Sequence, residues 1–180
     1  VTLTPELLTL TRLAGDRTPV RRAPLELQSL LQELIDELRV LAEDHQLSLS
    51  LQTEPTPLVL GDAQWLKQAV INLLDNAIRY TPPGGEVTVR LRATDEGVAI
   101  SVEDTGPGIE SQHLPHLFER FYRADFARAR DCGGSGLGLP IVKGIADAHG
   151  GTITLETEVA KGSVFTLILP ADKNSSPSIH

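Results

Sequence analysis

Two runs of alternating apolar residues, Val87-Val89-Leu91 and Val98-Ile100-Val102, flank the turn Thr94-Asp95-Glu96-Gly97. Alternation with period two places one apolar face on each strand, and the short turn makes the pair a β-hairpin. A second pair, Ile153–Thr157 and Val164–Leu169 around Lys161-Gly162, repeats the pattern near the end. Strands joined by short turns favour antiparallel neighbours, and their apolar face must be covered.

The cover is predicted from three stretches of helical spacing. Leu27, Leu30, Leu31, Leu34, Ile35, Leu38 and Leu41 mark a helix over Leu25–Asp44. Leu66, Val70, Leu73, Leu74, Ala77 and Ile78 mark another over 64–80, with Asp62 as its cap and Pro82-Pro83-Gly84-Gly85 as its stop. Residues 137–148 form the third, where Pro140 is tolerated only in the first turn. Leu47, Leu49 and Leu51 read as a strand, and Leu58-Val59-Leu60 as a short one. The predicted fold is α+β, a two-layer sandwich with helices on one sheet face.

Residues 105–136 show weak periodicity and are expected to be mostly loop; a loop this long in a compact domain is usually functional or disordered. Leu3, Leu7, Leu10 and Leu13 in residues 1–14 suit either the end of a longer helix or a packed local segment. Residues 15–24, with Pro19 and Pro24, suit a linker, 22–172 the main domain, and 173–180 a tail. No apolar run is long enough to cross a bilayer, and the start is no signal peptide. The chain has no methionine and reads as a piece of a longer protein. The net charge of −8 argues against nucleic-acid binding. The single cysteine, Cys132, forms no internal disulfide and is compatible with a reducing compartment.

Four segments carry candidate chemistry. The chain has three asparagines, and Asn72 and Asn76 stand i,i+4 in the helix 64–80, where asparagine is unfavourable because its amide competes for backbone hydrogen bonds. Gln68 precedes them and Arg79 follows on the same stripe, which suits a solvated face or an oxygen-ligand site for Mg²⁺ with a phosphate contact. Asp104-Thr105-Gly106-Pro107-Gly108-Ile109 closes a strand; Asp104 could accept from an exocyclic amine such as that of adenine, or serve an ordinary turn. Gly133-Gly134-Ser135-Gly136-Leu137-Gly138-Leu139 runs into a helix start, a phosphate cradle or a hinge, with neither a Walker nor a Rossmann pattern. Between them, Phe118-Glu119-Arg120-Phe121-Tyr122-Arg123 holds three of the six Phe and Tyr residues and opens an arginine-bearing loop with Arg128 and Arg130. Phe118 and Phe121 are expected to pin a lid while an arginine, with Arg123 a candidate, reaches the phosphates.

In this order the four segments resemble the N box, first glycine box, F box and second glycine box of histidine kinase catalytic domains, and Gly162-Ser163-Val164-Phe165-Thr166 is similar to the family's closing strand motif. The resemblance spans about residues 22–170 and implies the Bergerat fold, with a mixed, mostly antiparallel sheet under three helices. It implies Mg-ATP binding. Asn76 is then the Mg²⁺ ligand, with Asn72 a metal or phosphate contact. Arg79 holds the phosphates and Tyr80 lies against the nucleotide. Asp104 recognises the adenine amine, while Gly106, Gly108 and Ile109 shape the base pocket. Residues 110–133 are the lid. Gly134, Gly136 and Gly138 admit the phosphates, with Ser135, Leu137, Leu139, Phe118 and Thr166 also lining the site. Related ATP-hydrolysing enzymes carry a glutamate where Asn72 stands, and an amide accepts a proton poorly, which favours a kinase over an ATPase. An ATP-hydrolysing enzyme or an anti-sigma-factor serine kinase of the same fold is the alternative.

None of His45, His113, His116, His149 and His180 stands in the helical context of the family's phosphoacceptor, and residues 1–14 resemble the end of the dimerisation hairpin. The implied partners are a histidine-bearing dimerisation domain and a response-regulator receiver domain. The fragment alone is expected to be monomeric and cytoplasmic, whether or not the full-length protein is membrane-anchored.

Overall fold

A computed structural model describes residues 21–123 and 135–172. The expected leucine helix of residues 1–14, the tail 173–180, and Cys132, Arg128, Arg130, Gly133 and Gly134 lie outside the described residues.

The chain runs β1 (Ala23–Leu25), α1 (Leu27–Asp44), β2 (Ser48–Thr53), β3 (Val59–Gly61), α2 (Ala63–Tyr80), β4 (Glu86–Thr94), β5 (Gly97–Asp104), a 3-10 turn (Ser111–His116), α3 (Gly138–Ala148), β6 (Thr152–Glu158) and β7 (Gly162–Leu169). Five strands form one sheet in the order β2-β4-β5-β7-β6. All neighbours are antiparallel except β2 and β4, which run parallel with Leu49 opposite Val87. That parallel pair arises because α2 intervenes between them, a crossover that local alternation does not reveal.

One face of the sheet is apolar throughout. Val87, Val89 and Leu91 of β4, Val98, Ile100 and Val102 of β5, and Phe165, Leu167 and Leu169 of β7 are buried against α1, α2 and α3. The other face is polar: Ser50 meets Thr88 at 3.1 Å, Ser101 meets Thr166 at 2.9 Å, and Arg90 pairs with Glu103.

The first helix starts two residues later than its periodicity predicts. Leu25 instead pairs with Val59, so β1 and β3 make a separate two-stranded sheet. Asp62 caps α2 as expected, its Oδ1 accepting from the backbone N–H of Gln64 at 3.0 Å and Trp65 at 3.3 Å, a cap contributing about 1 kcal/mol. Thr81 ends that helix by donating its hydroxyl to the Ala77 carbonyl at 2.6 Å, and Pro82 cannot continue it. Pro140 stands third in α3, where its missing N–H costs no helix bond.

His149, at the end of α3, is buried and fully used. Its Nδ1–H donates to the Ile145 carbonyl at 2.8 Å, and its Nε2 accepts from the Asp62 backbone N–H at 3.0 Å. The ring thereby ties the end of α3 to the start of α2. Arg21 and Arg22 reach the same junction, at the Asp62 carboxylate and the Ala148 carbonyl. Among the described residues, no helix is long and apolar enough to cross a membrane.

Candidate functional site

The buried stripe of α2 (Leu66, Ala69, Val70, Leu73, Leu74, Ala77 and Ile78) turns Gln68, Asn72 and Asn76 to its half-buried flank. Asn72 faces the start of α3: its Nδ2 lies 3.5 Å from the Gly138 carbonyl oxygen. A methyl on Gly138 would stand 3.8 Å from Asn72 Cβ. The N-box helix and the glycine-box helix therefore abut at this residue. Among the described residues the Asn76 amide makes no hydrogen bond. Its oxygen is a hard donor suited to Mg²⁺.

At the other end of α2, Tyr80 is exposed and its carbonyl oxygen comes within 3.3 Å of where a Gly106 side chain would begin. Gly106 N–H donates to Asp104 Oδ1 at 2.8 Å. Burial pushes the Asp104 carboxyl up from its usual range, opposed by backbone hydrogen bonds from Gly106 and Ser163. An acceptor held at the end of a buried strand by two amides is preorganised for an incoming N–H. Gly108 adopts φ +68°, and any side chain there would run into the Glu158 carbonyl. The β6–β7 turn closes on this loop through Ala160 N–H to the Pro107 carbonyl at 2.8 Å. Ile109 is half-buried against the core, and its N–H donates to Thr157 Oγ1 at 2.9 Å.

The F-box and second glycine segments also meet. Phe121 N–H donates to the Gly136 carbonyl at 2.9 Å, and Gly136, at φ +68°, leaves only 2.9 Å between a would-be methyl and the Phe121 backbone. The first turn of α3 has no side-chain cap, so its leading N–H groups keep their capacity for an anion. Leu137 is buried in the core; Leu139 is half-buried against it and Ser135 is exposed.

Several residues sit differently from expectation. Thr166 projects on the helix-free face, bonded to Ser101, away from Asp104 and the helices. The residue opposite Asp104 is Ser163, buried on the helix side. The alternation of Phe165, Leu167 and Leu169 already assigns position 166 to the other face. Phe118 packs against the core as an anchor, whereas Phe121 is exposed and left-handed at φ 66°, pinned through its backbone rather than its ring. Arg79 donates to Asp75 at 2.8 Å, four residues back on its own helix. Arg123 is half-buried at the end of the described F-box segment. Within the segment expected to be loop, the Ser111–His116 turn holds His113, whose Nδ1 lies 2.8 Å from the Tyr122 hydroxyl.

Comparison with known proteins agrees with this fold. Residues 61–173 match the family described as "Histidine kinase-, DNA gyrase B-, and HSP90-like ATPase". The phosphate regulon sensor protein PhoR of Pseudomonas aeruginosa is 37% identical over 161 residues, covering 89% of this chain and 36% of that protein. The sensor histidine kinase CusS of Escherichia coli is 43% identical over 146 residues, covering 81% of this chain and 30% of that protein. The solved structure of full-length ShkA in complex with AMPPNP superposes with a TM-score of 0.84 at 29% identity, over 96% of this chain and 36% of that one. The mycobacterial sensor histidine kinase MprB gives a TM-score of 0.72 at 32% identity, over 87% of this chain and 99% of that one. The chain spans 36% and 30% of the length of these two curated relatives. With its sequence boxes, its helix-covered sheet and these matches in agreement, the chain belongs to the histidine kinase-, DNA gyrase B- and HSP90-like ATPase family, on the branch populated by sensor histidine kinases.

Proposed function

We propose that this chain binds Mg-ATP and presents its γ-phosphoryl group to a histidine on a dimerisation domain outside residues 1–180, as the catalytic domain of a two-component sensor kinase. The observation that carries this reading is the contact between Asn72 and Gly138, which sets the amide-bearing helix beside the uncapped start of α3. In the proposed complex Asp104 accepts from the adenine amine, and Gly106, Gly108 and Ile109 form the base pocket. The amide oxygens of Asn76 and Asn72 face the metal. Arg79 exchanges Asp75 for phosphate, and Gly134, Gly136 and Gly138 line the phosphates. Residues 110–133 serve as the lid, with Arg123 a candidate for the transferring group. Bound Mg²⁺ supplies neutralisation of phosphate charge. Among the described residues no three His, Cys, Asp or Glu side chains gather as a metal cage. Asn76, with Asn72 beside it, would hold the cation through amide oxygens.

An amide at position 72 leaves water without a base there, so the γ-phosphoryl is kept for another nucleophile. The acceptor imidazole nitrogen forms the new P–N bond as the bond from the γ-phosphorus to the β–γ bridging oxygen breaks and ADP departs. The imidazole proton passes to a base on the acceptor domain. The phosphohistidine then serves a receiver domain. This reading also places the chain in the cytoplasm.

Calorimetric titration with ATP, with and without Mg²⁺, followed by incubation with a separate dimerisation domain and labelled ATP, tests the proposal. Mg-dependent binding and label on the added domain alone are expected. Asn76→Ala should abolish the Mg²⁺ dependence while leaving the unfolding midpoint in place. Unchanged affinity in that variant removes the metal role, and label on this chain by itself contradicts the transfer reading.

A further inference from the structure

Gln68 shares the polar flank of α2 with Asn72 and Asn76, and nothing in the nucleotide reading uses it. It is half-buried, one turn before Asn72. Its Nε2 donates to Asn72 Oδ1 at 3.2 Å, while Asn72 Nδ2 lies 3.5 Å from the Gly138 carbonyl. Among the described residues these are the two hydrogen-bond partners of the Asn72 side chain.

An asparagine amide has two ends of nearly equal size and opposite polarity. The Gly138 carbonyl can only accept, so it selects the NH₂ end of Asn72. The oxygen end then faces Gln68, whose amide supplies a donor. Turned over, Asn72 would set oxygen against the Gly138 oxygen, and Gln68 would keep its bond only by turning its own amide as well. Gly138 sets the polarity from the outer limit of a hydrogen bond, and the shorter contact from Gln68 holds the amide in that orientation. With both contacts made, the amide retains one oxygen lone pair and one N–H for a ligand.

We propose that Gln68 is a positioning residue that locks the orientation of the Asn72 amide, and through it the seating of the N-box helix on the first turn of α3. The proposal rests on the reading of Asn72 as a metal or phosphate contact. Without Gln68 the amide turns between two orientations, and only one presents oxygen and N–H on the sides that ligand binding needs. The loss falls on Mg-ATP affinity, because an exchange of amide ends in a half-buried site leaves the surrounding core intact.

A double-mutant cycle decides the matter. Gln68→Met keeps length and helix preference and removes only the donor. Wild type, Gln68→Met, Asn72→Ala and the double variant are titrated with ATP across a range of Mg²⁺ concentrations, and each is unfolded in urea. Gln68→Met is expected to raise the Mg-ATP Kd about fivefold, the effect of one neutral hydrogen bond. It should also move the Mg²⁺ midpoint upward, with no change in the unfolding midpoint. On the Asn72→Ala background the same substitution should change Kd by less than about twofold. An equal effect on both backgrounds overturns the proposal, since Gln68 then acts independently of Asn72. No effect of Gln68→Met where Asn72→Ala weakens binding overturns the positioning role and leaves the nucleotide site standing. Asn72→Ala without effect overturns both. If Gln68→Met lowers the unfolding midpoint, Gln68→Leu repeats the cycle, and the coupling to Asn72 remains the deciding quantity.

Discussion

Adding one methyl group at Gly106 should separate adenine recognition from folding. The Gly106 N–H holds Asp104 Oδ1 at 2.8 Å, and a methyl on Gly106 would stand 2.7 Å from that same oxygen. That is roughly 0.7 Å short of ordinary van der Waals contact. The Tyr80 carbonyl at 3.3 Å blocks retreat on the other side, so the carboxylate is the group that gives way. The backbone at Gly106 lies outside the left-handed region, so alanine brings crowding without conformational strain, and the fold loses about 1 kcal/mol. A hydrogen bond from the adenine amine to a displaced carboxylate is lost, which amounts to roughly 1.5–3 kcal/mol, or about 10–150-fold in Kd. Calorimetry with ATP and with inosine triphosphate, which carries a carbonyl in place of the amine, reads this out. Wild type should prefer ATP by about tenfold or more. Gly106→Ala should lose that preference, its affinity for inosine triphosphate changing far less. Equal losses for both nucleotides, or an unchanged preference for ATP, would refute the assignment of Asp104 to the amine.

Two further outcomes follow from the same structure. Burial holds the His149 pKa below its ordinary 6.5, so the unfolded chain takes up a proton that the native ring refuses. The ring's contribution to stability is complete above about pH 6.5 and is lost as pH falls through the folded value. In urea melts the advantage of wild type over His149→Gln should shrink on acidification; a constant gap from pH 7 to 5 counts against a neutral ring bridging Ile145 and Asp62. Gly136→Ala forces a left-handed alanine at a cost of about 1–2 kcal/mol and presses on the Phe121 backbone. It should weaken ATP binding about tenfold and lower the urea midpoint by no more than that strain accounts for; a larger fall would show that this contact serves the fold as a whole.

Much of this protein is legible from local pattern. The hairpins, the α2 stripe with its Asp62 cap and its Pro82-Pro83-Gly84-Gly85 stop, and Pro140 in the first turn of α3 all follow from short-range rules of alternation, helical period and capping. These rules act within a few residues, so they survive without knowledge of the fold. The crossover that makes β2 parallel to β4 escapes them, as does the diversion of Leu25 into a strand with Val59, because both depend on partners dozens of residues away. His149 shows the same limit: its neighbours in the chain are a glycine pair, while its meaning lies in the Asp62 N–H that its ring meets.

The candidate site divides along the same line. Sequence by itself supplied the amides at 72 and 76 as an anomaly in a helix, and the carboxylate at 104 and the glycines before α3 through their place in the series of boxes. Thr166 could have been set aside from its parity alone. Only the tertiary structure decided that Asn72 touches the start of α3, that Ser163 is the residue opposite Asp104, and that Phe121 is held by its backbone. The physical reason is that hydrogen bonds are directional over about 3 Å, whereas a sequence pattern specifies which face a residue occupies and says nothing of what that face will meet.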